Sequence, residues 1–367
     1  MRVLLLTTHL DVGGIGIYTV NLARHLSSAG VDVAVASAGG DLQNVLSRSG
    51  IRHVEMDIRT KFEFAPGVWK ALPGLNRLVS GDGYQLLHAQ TRVAQVLASL
   101  SGGSTGVPFV STCHGFFKHR RLSRKLFPCW GQKAIAISDS VREHLLHDFC
   151  LTPDRVTRIY NGIELDRYRA GEPGIKDSTL ISDIGLNPDA AVVGTTARLS
   201  SVKGIGHLVD AFEAVASHHE NVQLLIVGKG PEKISLEKQI RSLNMQKKIF
   251  MVPGGAPMEK YLFLMDIFCM PSMHEGLGLS LMEAMAAGRA CIASNVGGLP
   301  ELITNEKDGI LVPPGDSEAL SRGILRLLDD GGLRRSLAEN ARKKAFDDFS
   351  IERSVKRTIE VYREVIQ

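Results

Sequence analysis

The sequence predicts an α/β protein built of two doubly wound, Rossmann-like domains facing each other across a cleft. Three observations carry this expectation. Short apolar runs alternate with segments of helical periodicity, and each run ends in polar or glycine-containing sequence, the pattern of parallel strands joined by crossover helices. The same order of elements starts again near residue 190. The length of 367 residues is about twice what one hydrophobic core organises.

Arg2 to Thr7 is the first apolar run, and Asp11-Val12-Gly13-Gly14-Ile15-Gly16 follows it as a polar glycine loop. Val20, Leu22, Ala23 and Leu26 then recur at helical spacing until Gly30 stops them. Val31 to Ala36 alternates around Asp32 and completes a βαβ unit. Gln85 to His88, Phe109 to Thr112 and Ala134 to Ile137 read as further strands. From Asp166 to Pro188 the periodicity gives way to Gly171, Pro173, Gly174, Asp177 and Ser178, a linker composition. The boundary is therefore expected at 180/181, between an N-terminal domain of residues 1–180 and a C-terminal domain of residues 181–350. Ala191 to Thr195 and Val222 to Val227 are strands on either side of a helix from His207 to Ser217. Residues 351–367 carry Ile351, Val355, Ile359, Tyr362 and Ile366, an amphipathic helix expected to pack back on the N-terminal domain.

Composition excludes several classes. Hydrophobic residues at 44% and charged residues at 22% leave too much to bury for a disordered chain. Apolar stretches such as Leu224 to Val227 stop far short of a membrane span. The N-terminus turns polar after four apolar residues, too few for a signal-peptide core, so a cytoplasmic protein is expected. Cysteines at 113, 129, 150, 269 and 291 form no C-x-x-C pair and are odd in number, which points to reduced thiols. Neither they nor the twelve histidines show metal-ligand spacing, so no metal and no cofactor are expected. The net charge of +4 is low for a nucleic-acid binder.

Three segments carry chemistry. The loop Gly13-Gly14-Ile15-Gly16 joins a strand to a helix, so its amides either receive a phosphate or make only a tight turn; it is neither a P-loop nor a dinucleotide fingerprint. In the second half Arg198 stands near the end of a strand, with Lys203 five residues later before Gly204. A guanidinium fork and an ammonium there suit the diphosphate of an activated donor, whose charge grows as it departs. The segment Pro271 to Gly288 places Glu275 in a glycine-containing turn and Glu283 eight residues later in a helix of strong formers. Carboxylates repel phosphate but accept hydrogen bonds from sugar and ribose hydroxyls; taken singly, each reads equally as a cap or a solvated charge.

With Ser111-Thr112-Cys113-His114-Gly115, Ile137-Ser138-Asp139-Ser140, Asn161-Gly162-Ile163-Glu164, Val227-Gly228-Lys229-Gly230-Pro231, Val296-Gly297-Gly298-Leu299-Pro300-Glu301 and Asp308-Gly309-Ile310-Leu311-Val312, these segments follow one another in an order and spacing that resembles the retaining, nucleotide-sugar-dependent glycosyltransferases of family 4, with the GT-B fold. The resemblance runs nearly the whole chain. It implies that Gly13 and Gly14 lie at the donor diphosphate, that Arg198 and Lys203 clamp it, and that amides of Gly276, Leu277, Gly278 and Leu279 complete the site. Glu283 matches the residue on the ribose, Glu275 the one on the transferred sugar, and His114 the histidine beside the reaction centre. Gly228 and Gly254 belong to the donor-side turns. The implied activity moves a sugar from a nucleotide-diphosphate sugar to a glycan or lipid-linked acceptor in polysaccharide or lipopolysaccharide assembly, without a metal; a sugar-nucleotide epimerase, a phosphorylase or a non-catalytic nucleotide-sugar-binding protein are the alternatives. UDP-sugar is the first expectation for the donor, with GDP- and ADP-sugars next.

Two departures stand out. Gly16 and Ile17 occupy positions where the family often has an acidic or arginine side chain, and Pro253-Gly254-Gly255-Ala256 offers no side-chain code for the base. On the acceptor side, Lys118, Arg120, Arg121, Arg124 and Lys125 sit among Phe116, Phe117, Leu122, Leu126 and Phe127 without an acid. Such a patch suits an anionic membrane surface or phosphorylated acceptor and lacks any base-reading motif, so nucleic acid is not an expected partner. Residues 1–180 hold 21 Lys and Arg against 15 Asp and Glu, a net of +6, and residues 181–367 hold 22 against 24, a net of −2. The expected location is thus cytoplasmic, peripheral on the inner face of a membrane.

Overall fold

A computed structural model describes residues 1–117, 127–169, 177–254 and 257–367. The chain forms two compact units, one of Met1–Gly162 with Ile351–Gln367, the other of Ile163–Ser350.

The first unit is a seven-stranded sheet of β1 (Arg2–Leu6), β2 (Asp32–Ser37), β3 (Arg52–Glu55), β4 (Leu86–Ala89), β5 (Phe109–Cys113), β6 (Lys133–Ala136) and β7 (Val156–Arg158). Its order is β3-β2-β1-β4-β5-β6-β7, every pair parallel. Helices cover both faces, which is why β1 reads as an unbroken apolar run from Val3 to Leu6 rather than an alternating one. The order reverses between β1 and β4, the point where open α/β sheets place ligands beyond the strands' carboxyl ends. The last helix, Ile351–Ile366, belongs to this unit and packs on the helix Gly14–Ser28. Its buried positions Ile351, Ser354, Val355, Thr358, Val361 and Tyr362 recur at helical spacing, so one stripe faces the core.

The second unit is a six-stranded parallel sheet of β8 (Ala191–Thr196), β9 (Val222–Val227), β10 (Ile249–Val252), β11 (Ile267–Met270), β12 (Ala290–Ser294) and β13 (Ile310–Val312). The order β10-β9-β8-β11-β12-β13 reverses between β8 and β11. The helix Ile205–His218 buries Leu208, Phe212 and Val215 on this sheet, together with Leu320, Ile324 and Leu327 of the helix Ser317–Asp329.

The boundary expected at 180/181 lies inside the second unit. Part of the apparent linker is capped helix. Asp166–Arg169 buries Tyr168, whose carbonyl accepts from Arg342 Nη2 at 3.2 Å. The Asp177 carboxylate accepts from Leu180 N at 3.1 Å and caps the helix Ser178–Ile184. Asp and Ser there act as helix starts. Among the described residues no helix is long and apolar enough to cross a membrane.

Candidate active site

In the second unit, the residues expected to hold the donor stand in the loops after β8, β9, β10 and β11, with β8 and β11 flanking the switch point. Beyond β8, Arg198 is exposed, and a short 3-10 turn, Ser201–Lys203, delivers Lys203. Gly204 follows at φ +63°, and a Cβ there would meet Pro271 O at 2.0 Å, so the chain passes this close to the loop after β11 only without a side chain. That approach brings Lys203 Nζ to 2.5 Å from Glu275 Oε2, while Ser272 Oγ donates to the same oxygen at 3.2 Å. Both charged side chains are largely covered, Lys203 being 24% and Glu275 14% exposed. A pair this sheltered is held by geometry more than by its net energy, since desolvation offsets much of the attraction.

The loop ends at Gly278, in the left-handed region, which precedes the helix Leu279–Ala286. Leu281 N and Met282 N both bond back to Gly278 O, at 3.1 and 3.2 Å, so the amides of the residues before them face outward from the first turn. Leu277 is buried and anchors the turn. Gly228, after β9, and Gly254, after β10, also adopt positive φ. One turn into the helix stands Glu283, only partly covered by surface area yet enclosed by protein groups; burial pushes its carboxyl up to about 7 against the pull of Arg167, and Glu259 adds to the rise. Arg167, Tyr168 and Glu259 belong to the same electrostatic cluster, and burial, Glu283, Glu259 and Glu164 push the Tyr168 phenol far up against the pull of Arg167.

In the first unit the glycine loop follows β1, and Gly13 is the N-cap of the helix Gly14–Ser28. Gly13 and Gly14 are exposed. Gly13 is extended and a Cβ there would touch nothing within 4 Å, whereas at Gly16 it would lie 2.4 Å from Asp11 O. Gly16, which departs from the family pattern, is thus the glycine this loop needs for its path.

His114 sits just past β5, its Nε2 2.9 Å from Gln90 Oε1 and its ring edge-on to Tyr18 at 5.2 Å between centroids. Burial drives its pKa down to about 3. Deeper in, His88 bridges Tyr362 Oη at 2.6 Å and Thr112 Oγ1 at 2.7 Å, and is likewise held at about 3 by burial and by His114. Both imidazoles are neutral near pH 7, so they offer hydrogen bonds rather than charge.

The structure therefore brings Lys203 and Glu275 together and places Arg198, Gly228, Gly254, Gly276 to Leu279 and Glu283 at the same end of one sheet. His114, Gly13 and Gly14 stand at the equivalent end of the other sheet. Lys118, Arg120, Arg121, Arg124 and Lys125 lie outside the described residues, as do Gly255 and Ala256. Sequence reasoning missed Gln90, Ser272, Arg167 and Glu259. Gln90 directly follows β4, and its place at a strand's carboxyl end was the available signal.

Residues 12–167 match the family described as Glycosyltransferase Family 4, and residues 177–344 the one described as Glycosyl transferases group 1. The chain belongs to glycosyltransferase family 4. This family 4 glycosyltransferase is 26% identical over 369 residues to an uncharacterized glycosyltransferase of Methanocaldococcus jannaschii, covering 96% of the chain and 94% of the relative. It is 27% identical to the alpha-maltose-1-phosphate synthase of Mycolicibacterium smegmatis over 79% of the chain and 82% of that enzyme. Among solved structures, Anabaena HepE in complex with UDP-glucose superposes with a TM-score of 0.87 at 22% identity, covering 99% of this chain and 100% of that one. The fold of this glycosyltransferase is GT-B.

Proposed function

We propose that this glycosyltransferase transfers a sugar from a nucleotide-diphosphate sugar, a UDP-sugar foremost, to a glycan or lipid-linked acceptor with retention of configuration and without a divalent metal. The observation that carries the proposal is the Lys203–Glu275 pair at 2.5 Å, in loops beside the first-turn amides of Leu279–Ala286. An ammonium has three donors, so Lys203 can keep Glu275 and still reach an anion. With the exposed Arg198 guanidinium and the helix amides it offers cations and N–H groups to the departing diphosphate, the stabilisation a metal gives elsewhere. Glu275, held by Lys203 and Ser272, presents its remaining lone pairs to sugar hydroxyls, and Glu283 to those of the ribose.

Among the described residues of the site Glu275 is engaged in this way and Glu283 is assigned to the ribose, which favours attack on the face from which the diphosphate leaves. The UDP and UDP-glucose complexes of Anabaena HepE support uridine for the base. On the acceptor side, Phe62, Phe64, Trp69, Phe116 and Phe127 are exposed in the first unit, and Phe116 and Phe127 flank the basic sequence of residues 118–125. Apolar rings beside cations suit a lipid-linked acceptor at an anionic, inner membrane surface.

Lys203→Ala lowers kcat/KM by on the order of 10², measured as free nucleoside diphosphate released when acceptor is added to the donor complex. Near-normal release in that variant would remove Lys203 from the mechanism.

A further inference from the structure

We infer that Gln90 is a positioning residue for His114: its side-chain amide fixes the imidazole in one tautomer and leaves the other ring nitrogen open as an acceptor for a sugar hydroxyl. The inference rests on the reading that places His114 beside the reacting sugar.

Gln90 and His114 each stand just past the end of neighbouring strands, β4 and β5, which pair through Ala89 and Ser111. Gln90 is 1% exposed, and its backbone N donates to Leu6 O at 2.8 Å, so the residue is fixed to the sheet. Its Oε1 lies 2.9 Å from His114 Nε2. A carbonyl oxygen only accepts, so this nitrogen carries the ring proton. A neutral imidazole has one N–H, and Nδ1 is left with its lone pair. The ring is neutral because burial drives its pKa down to about 3. Its titratable surroundings are uncharged too: Tyr18 and the Cys113 thiol are both pushed up to about 12, and His88 is held at about 3.

The other end of the amide makes no competing bond. Gln90 Nε2 is buried and has no hydrogen-bond partner among the described residues. A buried donor without a partner destabilises a fold, and an apolar side chain of similar size would avoid that cost. Among the described residues the bond to His114 is thus the one hydrogen bond this amide makes.

The test is the nitrogen NMR spectrum of the His114 ring in the full-length protein near neutral pH, assigned by its loss in His114→Gln. The proton is expected on Nε2. In Gln90→Leu the tautomers mix, and kcat falls about ten- to a hundredfold, the usual cost of losing such an orienting partner, with the donor KM little changed. In Gln90→Glu a carboxylate faces the ring, the imidazolium persists to higher pH, and kcat at saturating donor, which removes the pH dependence of donor binding, rises with pH over a range where the wild-type kcat is flat. A proton on Nδ1 in the wild type overturns the inference, as do unchanged ring nitrogens and unchanged kcat in Gln90→Leu. The reading of His114 itself fails separately: normal turnover in His114→Ala removes its contact with the sugar, while the spectrum still decides the tautomer.

Discussion

Glu283 shows how one side chain's surroundings set the conditions for binding. Burial, opposed by Arg167, raises its carboxyl to about 7, and in the proposed reading the ionised form, with no O–H of its own to place, is the stronger acceptor for the ribose hydroxyls. Raising the pH from 6 to 8 should therefore tighten UDP binding about tenfold, in step with the ionised fraction. Calorimetric titration of wild type and Glu283→Gln checks this: the variant should keep only the trend of the UDP terminal phosphate, which ionises at about 6, and lose the Glu283 part. Stability runs the opposite way. The unfolded carboxyl ionises around 4.5 while the folded one holds its proton to about 7, so the raised pKa favours the fold below 4.5 and that contribution is lost by pH 7. At pH 8 Glu283→Gln should melt above the wild type. The buried histidines behave conversely: His88 and His114, both near 3 in the fold against 6.5 unfolded, contribute stability above pH 6.5 that is lost as pH falls toward 3, visible as a steep fall in Tm on acidification. None of these environments can be read from a sequence. Glu283 is legible as a carboxylate eight residues after Glu275, but its cluster of Arg167, Tyr168 and Glu259 comes from distant parts of the chain.

At the scale of elements, the loops beyond β8 and β11 hold the site because backbone approaches backbone. Gly297, at φ +57°, would put a Cβ 1.8 Å from Glu275 O. Gly297→Ala should displace the Glu275 turn, costing about 1–3 kcal/mol in strain and lowering kcat. Gly13→Ala, with nothing within 4 Å and an extended backbone, should match the wild type in thermal stability. Denaturant unfolding of the two variants separates them. The helix Ile351–Ile366 places Tyr362, fully buried, against His88. Tyr362→Ala should cost about 3–5 kcal/mol, as large-to-small core changes do, and Tyr362→Phe about 1–3 kcal/mol for the partner it leaves unmet. The strands and this amphipathic helix are legible because burial on both faces writes a short apolar run into the sequence and burial on one face writes a period. The short helices Asp166–Arg169 and Ser178–Ile184 were not, because four to seven residues carry too few turns for a period and their capping residues resemble a linker.

For the whole molecule, the units sharpen the charge asymmetry. The first unit, with the returning helix, holds 22 Lys and Arg against 14 Asp and Glu, a net of +8, and the second holds 21 against 25, a net of −4. If the positive excess meets an anionic membrane, sedimentation with vesicles rich in anionic lipid should fall as salt shortens the screening length to about 8 Å at physiological ionic strength; no sedimentation at low salt would exclude that surface. In the proposed reading the donor diphosphate meets an ammonium, a guanidinium and helix amides in the second unit, with Lys203 as its main cation. The most direct measurement of that role is calorimetric titration of UDP into the wild type and Lys203→Ala at constant pH and salt. UDP should bind the wild type and bind the variant at least about tenfold more weakly, the scale of a charge-assisted bond to phosphate. Equal affinity of the two proteins for UDP would contradict that role.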